Sequence, residues 1–350
     1  MNRSHLLIFN LDGTIIDTNN SISSAIRRTV QNYFSHFLGI HGSGSLVSQE
    51  TVHLFWQAGV DDPQQLSAGL IGYLLALLPE KFHAARPSRN VYEASAFLKK
   101  TSQPIQHIST TYLQKKADFA SLAQAIQEAG GGQKGFQQVM TRYLNHPLLL
   151  NKGDIDQNNL VGRLFIEFYL GYKNCYRVER VRPRFYRKAG LIESETLLIN
   201  HQSLQQIRRA YRRRMAIVTT RKLTNAQLIM QQFQIEHFFD VIITHEDVVA
   251  EESRRRRLKQ TTPFTEPLSF MLLEAIERLD YQGSQPALYI GSQVSDMEAA
   301  QQVATHSSRN LSAWQLQTNA KITPSTVGPS AEQHFSDTQA LTKAILDISL

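Results

Sequence analysis

Cysteine is nearly missing from this chain. Cys175 is the single one in 350 residues, which excludes a disulfide framework and a cysteine-rich zinc centre and favours a reducing compartment. Long hydrophobic runs are missing as well. The longest, Leu70 to Leu78, contains Gly72 and Tyr73 and falls well short of the ~18 residues that signal a membrane span. The apolar stretch near the start, Leu6 to Phe9, is too short for the core of a signal peptide. Acidic residues are the fewer of the charged ones: Lys+Arg number 37 against Asp+Glu 30, a formal net charge of +7. With 42% hydrophobic residues, 18 Gly and 11 Pro, the composition lies far from disordered or collagen-like usage. These absences leave a globular protein, expected to be soluble and cytoplasmic, with length for two folded units at ~150 residues each.

Four short apolar runs recur, at Leu6 to Phe9, Ala216 to Val218, Val241 to Ile243 and Ala287 to Ile290. Runs this short, unalternating and partly β-branched, read as strands buried on both faces of a parallel sheet. Helical spacings separate the last three. Leu228, Ile229 and Phe233 share a face in Thr224 to Phe233, and Leu268, Leu272, Ile276 and Leu279 do so in Pro267 to Leu279, whose proline suits a first turn. Strand, helix, strand, helix, strand predicts a doubly wound α/β core.

The first run stands apart, because no comparable strand signal follows until Ala216. The intervening stretch reads as helical over Ser21 to Phe37, Leu66 to Leu78, Val91 to Lys99, Tyr112 to Ala129 and Leu160 to Tyr172, an inserted helical domain. Gly130-Gly131-Gly132 reads as a flexible break. Beyond Ala304 the chain turns polar, His306-Ser307-Ser308-Arg309-Asn310 standing where a further apolar strand is expected, and it ends in an amphipathic pattern through Leu341, Ile345 and Ile348.

Three motifs fall at the carboxyl ends of predicted strands, where open α/β sheets place their ligands. They are Asn10-Leu11-Asp12-Gly13-Thr14, Ile217-Val218-Thr219-Thr220, and Ile290-Gly291-Ser292-Gln293-Val294-Ser295-Asp296. Their order, spacing and strand context resemble the haloacid dehalogenase (HAD) superfamily, and the long insertion after the first motif resembles its capped subfamily that includes phosphoglycolate phosphatase. The resemblance implies a HAD-like core at residues 1–18 and 195–350 with a large α-helical cap at residues 19–194.

What the resemblance implies for chemistry makes the departures legible. An active member uses a first-motif aspartate to attack phosphorus and to bind Mg²⁺, and this position is Asn10. An amide is a poor nucleophile and brings no charge to a cation. Asp12 stands at the general acid/base position, Thr219 and Thr220 at the phosphate-binding strand end, and Gly13 and Thr14 complete the first loop. The third motif's lysine before a proline, a fixed cation for the phosphoryl group, is replaced by Thr262-Pro263, with Lys259 three residues upstream as a weak substitute. Ser292 replaces one metal carboxylate, leaving Asn10, Asp12 and Asp296 as a weak or vestigial Mg²⁺ set.

Joint loss of nucleophile, lysine and metal carboxylate predicts a pseudophosphatase, a scaffold that binds a protein with an acidic surface or a small anion. The alternative is a Mg²⁺-dependent phosphatase of a small phosphorylated metabolite, working through Asp12, Thr219, Lys259 and Asp296. Arg208-Arg209, Arg212-Arg213-Arg214 and Arg254-Arg255-Arg256-Arg257 suit an acidic partner. Nucleic acid is less favoured, because no aromatic interleaving accompanies them. The first run reads as a solvated helix face and the last as a charged loop. Arg182 and Arg184, near the return from the insertion, are candidates to reach an anionic ligand, since caps supply specificity in active relatives. His245-Glu246-Asp247 reads as a loop at a strand end, and Asp17 as a helix cap or hinge.

Overall fold

The computed structural model describes residues 5–79, 90–144, 155, 157, 159–212, 214–258, 267–280, 285–307, 309–318 and 331–349. The chain divides into two compact units, Met1–Thr18 with Thr196–Leu350, and Asn19–Glu195.

The strands in chain order are β1 (Leu6–Asn10), β2 (Ile16–Asp17), β3 (Thr196–Leu197), β4 (Met215–Val218), β5 (Val241–Ile243), β6 (Ala287–Gly291), β7 (Leu311–Leu316) and β8 (Gln333–Phe335). Six of them form one sheet in the order β5-β4-β1-β6-β7-β8, every pairing parallel. β2 and β3 form a separate antiparallel pair, with Asp17 opposite Thr196. This is the α/β parallel sheet that the apolar runs predict. β1 lies between β4 and β6, and Leu6, Leu7, Ile8 and Phe9 are fully buried, which is why the run is continuous rather than alternating. Helices Pro267–Leu279 and Val294–His306 add Leu272, Ala275, Ile276, Met297 and Val303 to the core around Ile8, Val218 and Tyr289.

Two expectations for this unit are corrected. A strand does follow the polar segment: β7 pairs with β6 from Ala287↔Leu311 to Gly291↔Gln315. The polar segment is only its lead-in, and Leu311, Ala313, Trp314 and Leu316 are buried. Residues 245–257 are one helix rather than two loops. Thr244 and Asp247 form a capping box at its start, and four arginines occupy its last turn, so both ends complement the helix dipole. Glu251 bridges Arg254 and Arg255 at spacings that support the helix.

The second unit is helical, with helices Asn19–Asn32, Gln49–Gln57, Pro63–Ala76, Val91–Thr101, Thr110–Lys116, Phe119–Glu128, Gly132–Leu144 and Leu160–Glu179, and a π-helical turn Tyr33–Phe37. The helix expected over Tyr112 to Ala129 is two. Asp118 interrupts it by accepting the Ser121 amide at 2.9 Å, so capping a new start. The glycine triplet is an ordered turn: all three φ are positive, and Gly132 N–H donates to the Ala58 carbonyl at 2.7 Å.

Helix Leu160–Glu179 kinks at Gly171 (φ 70°, ψ −178°), where a Cβ would lie 2.1 Å from the Gly190 nitrogen. Its buried Arg163 pairs with Glu167 at 2.6 Å. Arg163 also donates to the Arg182 carbonyl, while Glu167 accepts the amides of Arg184, Phe185 and Tyr186. The pair therefore holds segment 182–186 onto the helix.

Candidate active site

The loops after β1, β4 and β6 converge because these strands are adjacent and parallel, which places their carboxyl ends on one edge of the sheet. After β1 the chain turns tightly. Ile15 and Ile16 amides donate to the Leu11 carbonyl, Leu11 N–H donates to the Val218 carbonyl, and the Thr14 hydroxyl donates to the Asn10 carbonyl. Gly13 has φ +76°, and a Cβ there would lie 2.2 Å from the Ser292 hydroxyl. Glycine is required both by the conformation and by the approach of the β6 loop.

Asn10 sits at the tip of β1 and faces Asp296. Its Nδ2 donates to Asp296 Oδ1 at 2.9 Å, and its Oδ1 accepts the Asp12 amide at 3.3 Å. Asp296 is the third residue of helix Val294–His306, where its carboxylate completes a capping box with Gln293. Its Oδ2 accepts the amides of Ser292 (2.6 Å) and Gln293 (2.9 Å), and its Oδ1 also accepts the Tyr289 hydroxyl at 2.8 Å. Burial pushes this carboxyl above the usual carboxylate range even though the amides of Gln293 and Ser292, the Tyr289 hydroxyl and the Asn10 amide pull it down. Burial, with the Asp296 charge beside it, likewise raises Tyr289 well above the ordinary phenol range.

Asp12 points to a different partner. Arg221, two residues beyond Thr219, puts Nη2 at 2.6 Å from Asp12 Oδ1 and Nε at 2.9 and 3.1 Å from the two oxygens. Arg221 is buried and fixed at its backbone: its N–H donates to the Thr219 hydroxyl, and its carbonyl accepts the His245 amide. The Thr219 oxygen is therefore engaged locally, and Thr220 is exposed. The Ser292 hydroxyl donates to the Asp12 carbonyl at 3.2 Å, and Gln315 on β7 donates to the Ser292 carbonyl.

This donor set does not fit a divalent cation. Both oxygens of Asp296 and both of Asp12 accept hydrogen bonds, and the group beside Asp12 is already a cation. A hard cation needs free carboxylate or carbonyl oxygens around one point. Among the described residues no three His, Cys, Asp or Glu side chains are grouped to hold a metal.

The structure thus brings together Asn10, Asp12, Gly13, Thr14, Thr219, Ser292 and Asp296. Lys259, Thr262 and Pro263 lie outside the described residues. Arg182 and Arg184 belong to the helical unit, where both are exposed and the Arg184 guanidinium lies 4.8 Å over the Tyr92 ring. Sequence reasoning missed Arg221, Tyr289 and Gln315. Arg221 carried a faint signal, an arginine directly following the strand-end threonines. Tyr289 looked like one more apolar strand residue.

The family model for haloacid dehalogenase-like hydrolase matches residues 5–304. The chain belongs to this family. Among solved structures it is similar to Northeast Structural Genomics Consortium target ZR25, at 16% identity and TM-score 0.61, covering 98% of each chain. It is also similar to phosphatase Tt82 from Thermococcus thioreducens, at 17% identity and TM-score 0.54, covering 97% of this chain and 98% of that one. A predicted phosphoglycolate phosphatase from Haemophilus somnus 129PT aligns at 14% identity and TM-score 0.46 over 100% of both chains. No curated protein matches the chain. At these identities the first two solved structures show the fold alone, and what the site does rests on its own residues.

Proposed function

We propose that this HAD-family member does not transfer phosphoryl groups and serves as a pseudophosphatase, a scaffold that retains the fold. One observation carries the reading: the residues that would attack phosphorus and hold Mg²⁺ are bonded to one another instead. The Asn10 amide donates to Asp296, occupying with a hydrogen bond the space in which a nucleophilic carboxylate and a cation would face each other. The Arg221 guanidinium grips both carboxylate oxygens of Asp12, so the general acid/base position is tied into an ion pair instead of lying free to reach a leaving group. On this reading Mg²⁺ binds weakly or not at all.

We further infer that the helical unit is an inserted cap and that the chain works in the cytoplasm. Its partner is a protein with an acidic surface or an anionic small molecule. The formal charge of +7 and the exposed arginines of helix His245–Arg257 support the choice of partner sign. The protein and its Asn10→Asp variant, assayed with Mg²⁺ against a panel of phosphomonoesters, are expected to match an Asp12→Asn control. Efficient turnover by either would overturn the reading.

A further inference from the structure

The helical unit carries an open basin of about 720 Å³ lined by Asn32, Ser35, His36, Phe37, Gly39, His41, Lys99 and Gln106, a volume in the range of small-molecule sites. From its side chains we propose that this basin binds a small ligand bearing an oxyanion, a carboxylate or a phosphate.

Two features point to a ligand. Lys99 Nζ lies 3.1 Å from His36 Nε2, so a cation and a second basic group are held together. Desolvation, with the Lys99 charge beside it, holds the His36 imidazole below its ordinary range. Glu93, on the same helix Val91–Thr101, is bonded to Asn90 at the opposite end. An oxyanion beside this pair would accept from Lys99 and, by favouring proton uptake on His36, from the imidazolium as well.

The second is backbone shape. His36 is presented by the π-helical turn Tyr33–Phe37, a rare conformation that concentrates at functional sites. Gly39 follows at φ +68°, and a Cβ there would lie 2.8 Å from Gln106 Cγ, so the glycine admits the Gln106 amide to the rim. Phe37 backs the turn, packed edge-on against His36 and Phe185.

The test is histidine-ring NMR on the full chain, titrated with inorganic phosphate, acetate or chloride at matched ionic strength. The His36 resonance should shift saturably with phosphate, with acetate or with both, which also distinguishes the two oxyanion sources, and its apparent pKa should rise. Lys99 is exposed, so Lys99→Met should fold normally and lose the saturable shift, while Lys99→Arg should retain it. A His36 titration identical in all three salts, or a shift unchanged in Lys99→Met, would overturn the proposal. The readout is local to this unit, so a negative result leaves the reading of the Asn10 site untouched.

Discussion

Asp296 is a buried carboxylate that survives because four donors converge on it. Its raised pKa means that the folded chain holds its proton more tightly than the unfolded chain does. That contribution favours folding below the ordinary carboxylate range and is lost as pH rises through the raised value. Removing a donor to the charged form should therefore hurt most at neutral pH. Tyr289→Phe is expected to cost about 1.5–3 kcal/mol at pH 7 and less near pH 4, measured by denaturant unfolding across pH.

Asn10→Asp should be destabilising by at least about 2 kcal/mol at pH 8, because it sets a second carboxylate against Asp296. The loss should shrink toward pH 5, where the pair can share a proton; a loss independent of pH would contradict the assignment. At this scale Asn10 and the two aspartates were legible in the sequence, because short motifs fix residue types at strand ends. Arg221 was not, because a basic residue in a polar turn reads as solvated until the fold brings the β1 and β4 loops side by side.

Among elements, legibility followed burial. β1, β4, β5 and β6 are continuous apolar runs because the sheet is covered on both faces, and the spacing announced them. β7 was hidden by its polar approach and by Ser312 and Gln315 within it. Helix His245–Arg257 buries only Val248, so it lacks an apolar stripe; its ends and ion pairs carry it instead.

The kink at Gly171 is tied to tertiary contact, and substitution should reveal that. Gly171→Ala meets the Gly190 backbone as well as a positive φ and should cost more than about 2 kcal/mol. Gly130→Ala, with φ +102° and nothing within 4 Å, should cost about 1 kcal/mol. Paired thermal melts would check the ranking. Glu167→Gln should be worse than either, about 3–5 kcal/mol, since it leaves Arg163 buried without its counter-charge; recovery of wild-type stability in that variant would show that the pair does not hold segment 182–186.

For the whole molecule, the parallel sheet and a helical insertion followed from hydrophobic patterning, and the family from three motifs in register. What patterning could not reach was the state of the site, since that depends on which charged groups the sheet edge brings together. On the proposed reading, side-chain hydrogen bonds at Asp12 and Asp296 take the place of metal coordination. Thermal unfolding with and without millimolar Mg²⁺ tests it most directly, because a ligand at a hundred times its dissociation constant adds about 2.7 kcal/mol to the folded state. The melting temperature is expected to be the same at every Mg²⁺ concentration at matched ionic strength. A saturable rise that disappears in Asp296→Asn would contradict it.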